Sequence, residues 1–206
     1  MREGTGSRTM ERMKETEEKT MKRSLGPGSY LYPMPVLVIG SYGPDGTPDA
    51  MTAAWGGIYD TGKIGICLSA DHRTVKNILE RKAYTVSMAT ADTAAQADYV
   101  GIVSGNDVPD KLERCGLHPV KSETVDAPVF EELPMALECE LESYDTENGW
   151  MVGRILNVAA DESVLGENGK VDCGRLRPVT YDGPGHGYVV LGEKVADAYS
   201  AGKKFF

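Results

Sequence analysis

The sequence predicts a mainly β domain, an antiparallel barrel with helical insertions. Three observations point there. Glu147-Asn148-Gly149 lies between two long apolar runs, residues 135–144 and 150–159, and Asn-Gly in that setting is the strongest short hairpin signal. The chain carries 24 Gly and 11 Pro in 206 residues. Glycine at about 12%, against a usual ~7%, requires many tight turns and hence many short strands. Finally, the strand-like runs lack the regular strand–helix alternation of a parallel sheet.

The elements follow in order. Residues 35–42 (PVLVIGSY) form a β-branched apolar run, closed by the turn chemistry of Pro44-Asp45-Gly46. Residues 50–55 are a second strand, and Asp60-Thr61-Gly62 turns the chain into a third at residues 63–68. The period then changes. Val75, Ile78 and Leu79 fall at helical spacing, which predicts a helix over residues 74–81 with Asp71 as its N-cap. Residues 83–89 return to strand, 93–103 are Ala-rich and helical, and a short helix is expected around residues 110–115. Residues 120–134 are extended and punctuated by proline. After the 135–144 and 150–159 hairpin come a short strand at 188–191 and a closing helix at 193–200. The total is roughly seven strands and three or four short helices.

A length of 206 residues fits one large domain better than two. Residues 1–23 differ from the rest: they carry seven basic and five acidic residues, and methionine is their only large apolar type. They are expected to form a disordered or loosely ordered extension, with a basic docking arm as the functional alternative. Met21 offers an alternative start. Residues 24–206 form the single domain and hold a net charge of −11 out of the chain's −9, the extension supplying +2. An acidic body repels phosphate backbones, which argues against nucleic acid as a partner. No run approaches 18 apolar residues and no apolar leader precedes the domain, so neither a membrane span nor a secretory signal is expected. The cysteines at 67, 115, 139 and 173 form no Cys-x-x-Cys, and the three histidines do not cluster with them. Free thiols in a reducing cytoplasm are the expectation, with no metal site.

The common catalytic fingerprints are missing: no GxGxxG after a strand, no Walker A, no GxSxG and no HExxH. Gly183-Pro184-Gly185-His186-Gly187 is read as a loop, because a strand and no helix follows it closely. Two places offer chemistry. Arg73-Thr74 opens a helix just after Ser69, and a helix start with unpaired N–H groups, a guanidinium and two hydroxyls makes a phosphate seat. The alternative is a capping threonine and a surface ion pair. The second place is the polar turn from Ser104 and Gly105 to Asp110 and Lys111. A lysine at a helix start opposes the helix dipole, so something anionic must compensate it, unless the segment is an ordinary solvated loop.

These residues resemble a family. Pro35-Val36-Leu37-Val38 and Gly46-x-x-Asp49-x-x-Thr52-x-Ala54-Trp55 are similar to the first strands of the flavin reductase-like, FMN-binding split-barrel proteins. Arg73-Thr74-x-x-Asn77-Ile78, Ser104-Gly105-x-x-x-x-Asp110-Lys111, Leu137-Glu138-Cys139 and Val152-Gly153-Arg154-Ile155 resemble later segments. Pro178-x-x-Tyr181 and Tyr188-x-x-Leu191-Gly192 resemble the closing one. Seven motifs in order over about residues 28–200 are fairly specific, and they look most like the flavoredoxin branch.

The resemblance implies a split β-barrel of Greek-key type that binds FMN tightly but non-covalently in a groove at a homodimer interface. Arg73, Thr74 and Ser69 would hold the phosphate, and Ser104 would line the site. Thr52, Ala53 and Ala54 would run along the isoalloxazine. Trp55 and Trp150 would either pack near the ring or serve the core or interface. Lys111 would lie near the phosphate or the N1–C2 edge, and Asn77 would either reach the site or lock the loop. Asp49 departs from the family's usual Asn: a carboxylate accepts hydrogen bonds but cannot donate them. The implied function is NAD(P)H-dependent electron transfer to flavin, ferric iron or a redox partner protein, the cofactor carrying the chemistry without a catalytic side chain. The alternatives are a non-enzymatic flavoredoxin-type carrier, and a barrel for another planar ligand or for a protein partner alone.

Overall fold

A computed structural model describes residues 21–206. The expected N-terminal extension lies almost wholly outside the described residues. Residues 21–33 are exposed and carry no strand or helix.

Eleven strands form among the described residues, against the roughly seven expected. Strands β1 (Leu37–Tyr42), β2 (Pro48–Ala53), β3 (Gly56–Asp60), β4 (Lys63–Cys67), β5 (Ala83–Met88), β8 (Met135–Asp145) and β9 (Trp150–Ala160) make one sheet. Its order is β2-β1-β5-β8-β9-β4-β3, with every neighbouring pair antiparallel. Two small ribbons complete the set, β6 (Pro119–Lys121) with β7 (Pro128–Phe130), and β10 (Val179–Asp182) with β11 (Gly187–Val190).

Connectivity forces the large sheet to curl. Its edge strands, β2 and β3, are joined by Ala54 and Trp55 alone. Flat, seven strands at about 4.8 Å spacing would hold their edges about 29 Å apart, whereas three Cα steps span at most about 11 Å. The sheet therefore wraps into a half-barrel. Register shifts at Ile58/Asp60, Glu138/Cys139 and Leu141/Ser143 mark the irregularities that bend strands.

Residues of β1 are buried on both faces, which explains the unbroken apolar run. Leu37 and Ile39 join Ile66, Val86 and Met151 inside the half-barrel; Val36 and Val38 join Val100, Leu112, Leu117 and Phe130 in a second core. Helix α1 (Arg73–Arg81) turns Val75 and Ile78 into the first core, with Leu79 partly buried against it. Helices α2 (Ala94–Ile102) and α3 (Lys111–Cys115) supply the second. Helix α4 (Cys173–Leu176) follows, capped by the Asp172 carboxylate, which accepts from the Gly174 and Arg175 amides.

Three expectations need correction. Asp71 is not the N-cap of α1; His72 is, in extended backbone, and no side chain caps the helix. The expected helix at 193–200 does not form: residues 191–197 have no regular structure, and only a short 3₁₀ turn follows at Ala201–Phe205. Val195 and Tyr199 are fully exposed, so no packed face stabilises a helix there. Strand β3 was not foreseen. It is a largely exposed edge with two leading glycines, so it needs no hydrophobic alternation.

Candidate functional site

The β1–β2 hairpin places Asp49 opposite Ser41, and the chain reversal after β4 brings the start of α1 beside it. Asp49 is 2% exposed. One of its oxygens pairs with Lys111 Nζ at 3.1 Å, and the other accepts from the Thr74 hydroxyl at 2.5 Å. Lys111 also donates to the Val103 carbonyl at 3.2 Å. The anion that a lysine at the start of α3 requires is thus a carboxylate of the protein itself. Asp49 ties β2, α1 and α3 together, and its two acceptor oxygens are the property that an asparagine would lack.

Above this node lies a cavity of about 190 Å³ lined by Asp49, Thr52, Arg73, Thr74, Ser104 and Lys111, with His72 and Gly105 in its wall. Arg73 donates to the Gly105 carbonyl at 2.7 Å. A β-carbon on Gly105 would run into the Asp49 carboxylate and lie 3.2 Å from Arg73 Cδ, so only glycine lets this wall close on the pair. With Lys111 paired to Asp49, Arg73 brings a guanidinium to the mouth that forms no ion pair within 4 Å among the described residues, and the uncapped start of α1 adds its N–H groups.

A second cavity of about 460 Å³ shares Thr52, Gly101 and Ile102 with the first. It runs over Ala53 and Ala54 to Tyr181, His186 and Tyr188. The Thr52 hydroxyl donates to the Ala97 carbonyl at 2.5 Å, so this side chain fastens β2 to α2. The Tyr188 hydroxyl donates to Asp98 at 2.7 Å, fastening β11 to α2. Burial first, then this bond and Tyr181, pushes the Tyr188 phenol up to about 12, so it keeps its proton.

The expected site residues therefore separate. Asp49, Thr52, Arg73, Thr74, Ser104 and Lys111 meet in the first cavity, and Ala53 and Ala54 join Thr52 in the second. Asn77 donates to the Ser41 hydroxyl at 3.1 Å, the loop-locking arrangement, holding α1 to β1. Trp55 and Ser69 line a different groove beside the β8–β9 turn. Trp150 packs over Gly65 and meets Tyr59 edge-on, ring centroids 6.3 Å apart. Sequence reasoning missed His72, Asp98, Gly101 and His186. The glycine-rich loop does turn β10 into β11, but it also carries His186, at φ 50°, to the cavity wall.

The half-barrel has counterparts in known proteins. The family profile described as "Flavin reductase like domain" matches residues 29–183. The flavoredoxin of Desulfovibrio vulgaris (Miyazaki F) is 39% identical, with a TM-score of 0.85 over 89% of this chain and 100% of that one. The flavoredoxin from Methanosarcina acetivorans is 24% identical, with a TM-score of 0.81 over 91% of this chain and 100% of that one. An FMN-binding domain of a flavin reductases-like enzyme from Shewanella baltica OS155 is 20% identical, with a TM-score of 0.72 over 79% of this chain and 88% of that one. At such identities these last two speak for the fold alone. An uncharacterised protein of Aquifex aeolicus (strain VF5) is 29% identical over 111 residues, 52% of this chain and 55% of that protein, so the chain spans just over half the length of this curated relative. The expected split-barrel fold is the one these structures share. With the family profile extending over most of its length, the chain belongs to the flavin reductase-like family.

Proposed function

We propose that the chain binds FMN and serves in electron transfer, with the phosphate at the start of α1 and the ring over Thr52, Ala53 and Ala54. The carrying observation is the uncapped start of α1, with Arg73 beside it, opening into a cavity that continues over the end of β2. Arg73 would pair with the phosphate, and the first-turn N–H groups of α1 would donate to it. The Asp49–Lys111 pair would hold the floor under it while adding no net charge. Tyr188, clasped to Asp98, would keep the β10–β11 ribbon against the ring's cavity and limit water there. When bound, FMN supplies the redox chemistry, taking up and releasing electrons.

Resemblance to a flavoredoxin at 39% identity favours a carrier that exchanges electrons with a partner protein. Family membership keeps the reductase reading, with NADH or NADPH as donor and flavin or ferric iron as acceptor. Anaerobic addition of NADH or NADPH separates them: bleaching at catalytic rates identifies the reductase, and bleaching only by a protein donor identifies the carrier. A homodimer is part of this proposal, since Trp55 and Tyr59, 62% and 59% exposed, leave aromatic surface uncovered beside β3.

The purified protein is expected to be yellow and to release FMN on denaturation. Arg73→Ala should weaken FMN binding by about 10- to 100-fold, the worth of a charged hydrogen bond, in a fluorescence titration of the apoprotein. A protein that takes up no FMN, or an Arg73→Ala variant with unchanged affinity, overturns the reading in favour of another planar ligand or a protein partner.

A further inference from the structure

His118, Glu131 and Glu132 meet at one end of the β6–β7 ribbon. Pro119 pairs with Phe130 there, so His118 stands just before one strand and the two glutamates just after the other. Hydrogen bonds to the backbone fix the arrangement. The Glu131 N–H donates to the His118 carbonyl at 3.1 Å, and the His118 N–H donates to Glu132 Oε2 at 2.9 Å. One ring nitrogen and one oxygen from each carboxylate lie within 4.8 Å of one another. The set is hidden in the sequence, where the glutamates lie 13 and 14 positions beyond the histidine. Only the ribbon closes that gap.

The charge at this corner is not balanced by a fixed cation. Neither carboxylate has a lysine or arginine within 4 Å among the described residues. Their one partner is the His118 ring, whose Nδ1 lies 2.5 Å from Glu132 Oε1. The ring also lines a cavity of about 280 Å³ beside α3, with Leu112, Glu113 and Leu117 in its wall. It therefore borders open space and not packed core.

We propose that these three side chains bind a divalent metal ion of borderline softness, such as Zn²⁺. An imidazole with two carboxylates is a donor set that suits such an ion. Bonds of ~2.1 Å place the donors of a tetrahedral ion about 3.4 Å apart, a contraction that exposed side chains make by rotating. The ion takes the place of the proton on His118 Nδ1, which moves to Nε2. Its two positive charges offset the two carboxylates, and three protein donors leave one position for water. The reading goes beyond flavin binding and does not depend on it.

Calorimetric titration of EDTA-treated protein with Zn²⁺ near neutral pH provides the test. One ion per chain is expected. His118→Gln, and Glu131→Gln/Glu132→Gln together, should each weaken binding by at least about tenfold. Two controls should bind like wild type: Glu113→Gln, a carboxylate on the same cavity wall but outside the set, and Cys115→Ser/Cys173→Ser, which removes two free thiols. Excess Mg²⁺ should not displace Zn²⁺, because it keeps its waters and prefers oxygen donors. A wild type that takes up no Zn²⁺ overturns the proposal. So does uptake indifferent to the His118 and glutamate substitutions, uptake that Glu113→Gln weakens equally, uptake that falls with the cysteines, or displacement by Mg²⁺. The same result is expected with and without FMN, so failure of flavin binding would count against the flavin reading alone.

Discussion

Lys111–Asp49 and His118–Glu132 each join a cation-forming side chain to a carboxylate, one inside the molecule and one on its surface. The inner pair has side chains 3% and 3% exposed and further anchors in Thr74 and Val103. The outer pair has side chains 69% and 25% exposed, with His118 Nδ1 2.5 Å from Glu132. Burial makes a charge pair costly to form and more costly to break, while exposure makes it cheap and nearly dispensable. The inner pair stands under the candidate phosphate seat, so its integrity and that of the site are one matter. Nothing in the fold depends comparably on the outer pair.

The sharpest way to break the comparison is Asp49→Ala. It strands the Lys111 ammonium in the interior and leaves the Thr74 hydroxyl without its acceptor. A loss of about 3–5 kcal/mol is expected, the usual cost of removing one partner from a buried pair, read from urea unfolding. A loss below about 1 kcal/mol, the range of exposed pairs, would show that the two pairs do not differ. Asp49→Asn keeps an acceptor for Thr74 and should lose less. By freeing the Lys111 charge it should also tighten binding of inorganic phosphate at the start of α1.

The inner pair shows where a sequence stops being informative. The hairpins were legible because turns and alternation are local: Gly46, Gly62 and Gly149 adopt the positive φ that such turns need. The start of α1 was legible for the same reason, since Arg73, Thr74 and Ser69 lie within six positions. The resemblance of ordered motifs then supplied the split barrel. Lys111 and Asp49, by contrast, are separated by more than 60 positions, and only the fold brings them together. The lysine announced a missing anion, but its neighbours gave no hint that a β2 carboxylate was the answer. Trp150, which the sequence left between a ring partner and a packing residue, was ambiguous for a related reason. An aromatic beside a hairpin turn reads as a ring partner, but the ring also packs over the bare surface of Gly65 on the adjacent strand β4, a pairing that only the fold creates. The tail at 193–200 had the composition of a helix, but helices in proteins persist on packing, and no surface among the described residues covers it.

A gentler way to break the inner pair is to crowd it. Gly105→Ala would push a β-carbon into the Asp49 carboxylate and against Arg73. Overpacking a well-filled site typically costs about 1–3 kcal/mol. The variant should therefore unfold at lower temperature and also retain FMN poorly, because the same methyl displaces Arg73. Unchanged melting and unchanged FMN retention would mean that the loop from Ser104 to Lys111 yields freely, and that the glycine is not what shapes the seat.

The smallest effect belongs to the outer pair, and pH reveals it better than mutation. The hydrogen bond and charge of Glu132, with Glu131 adding to them, raise the His118 imidazole above its ordinary 6.5. Burial alone would raise Glu132, but the His118 ring and backbone N–H groups outweigh it and lower the carboxyl below its ordinary 4.5. A raised histidine stabilises the fold below its unfolded pKa and ceases to do so as pH rises through the folded one. A lowered carboxylate stabilises above its unfolded pKa and ceases to do so as pH falls through the folded one. The pair's contribution is therefore full between about 4.5 and 6.5 and fades on either side. His118→Gln should erase that pH-dependent increment while leaving stability at pH 8 unchanged, and the His118 ring should titrate above 6.5 by NMR. A ring titrating at or below 6.5, or a variant whose stability differs from wild type equally at all pH, would deny the outer pair even this role. Asp49 and Lys111 supply the contrast: loss of Asp49 should be felt across the same pH range, because the lysine left behind is only 3% exposed and has lost its carboxylate.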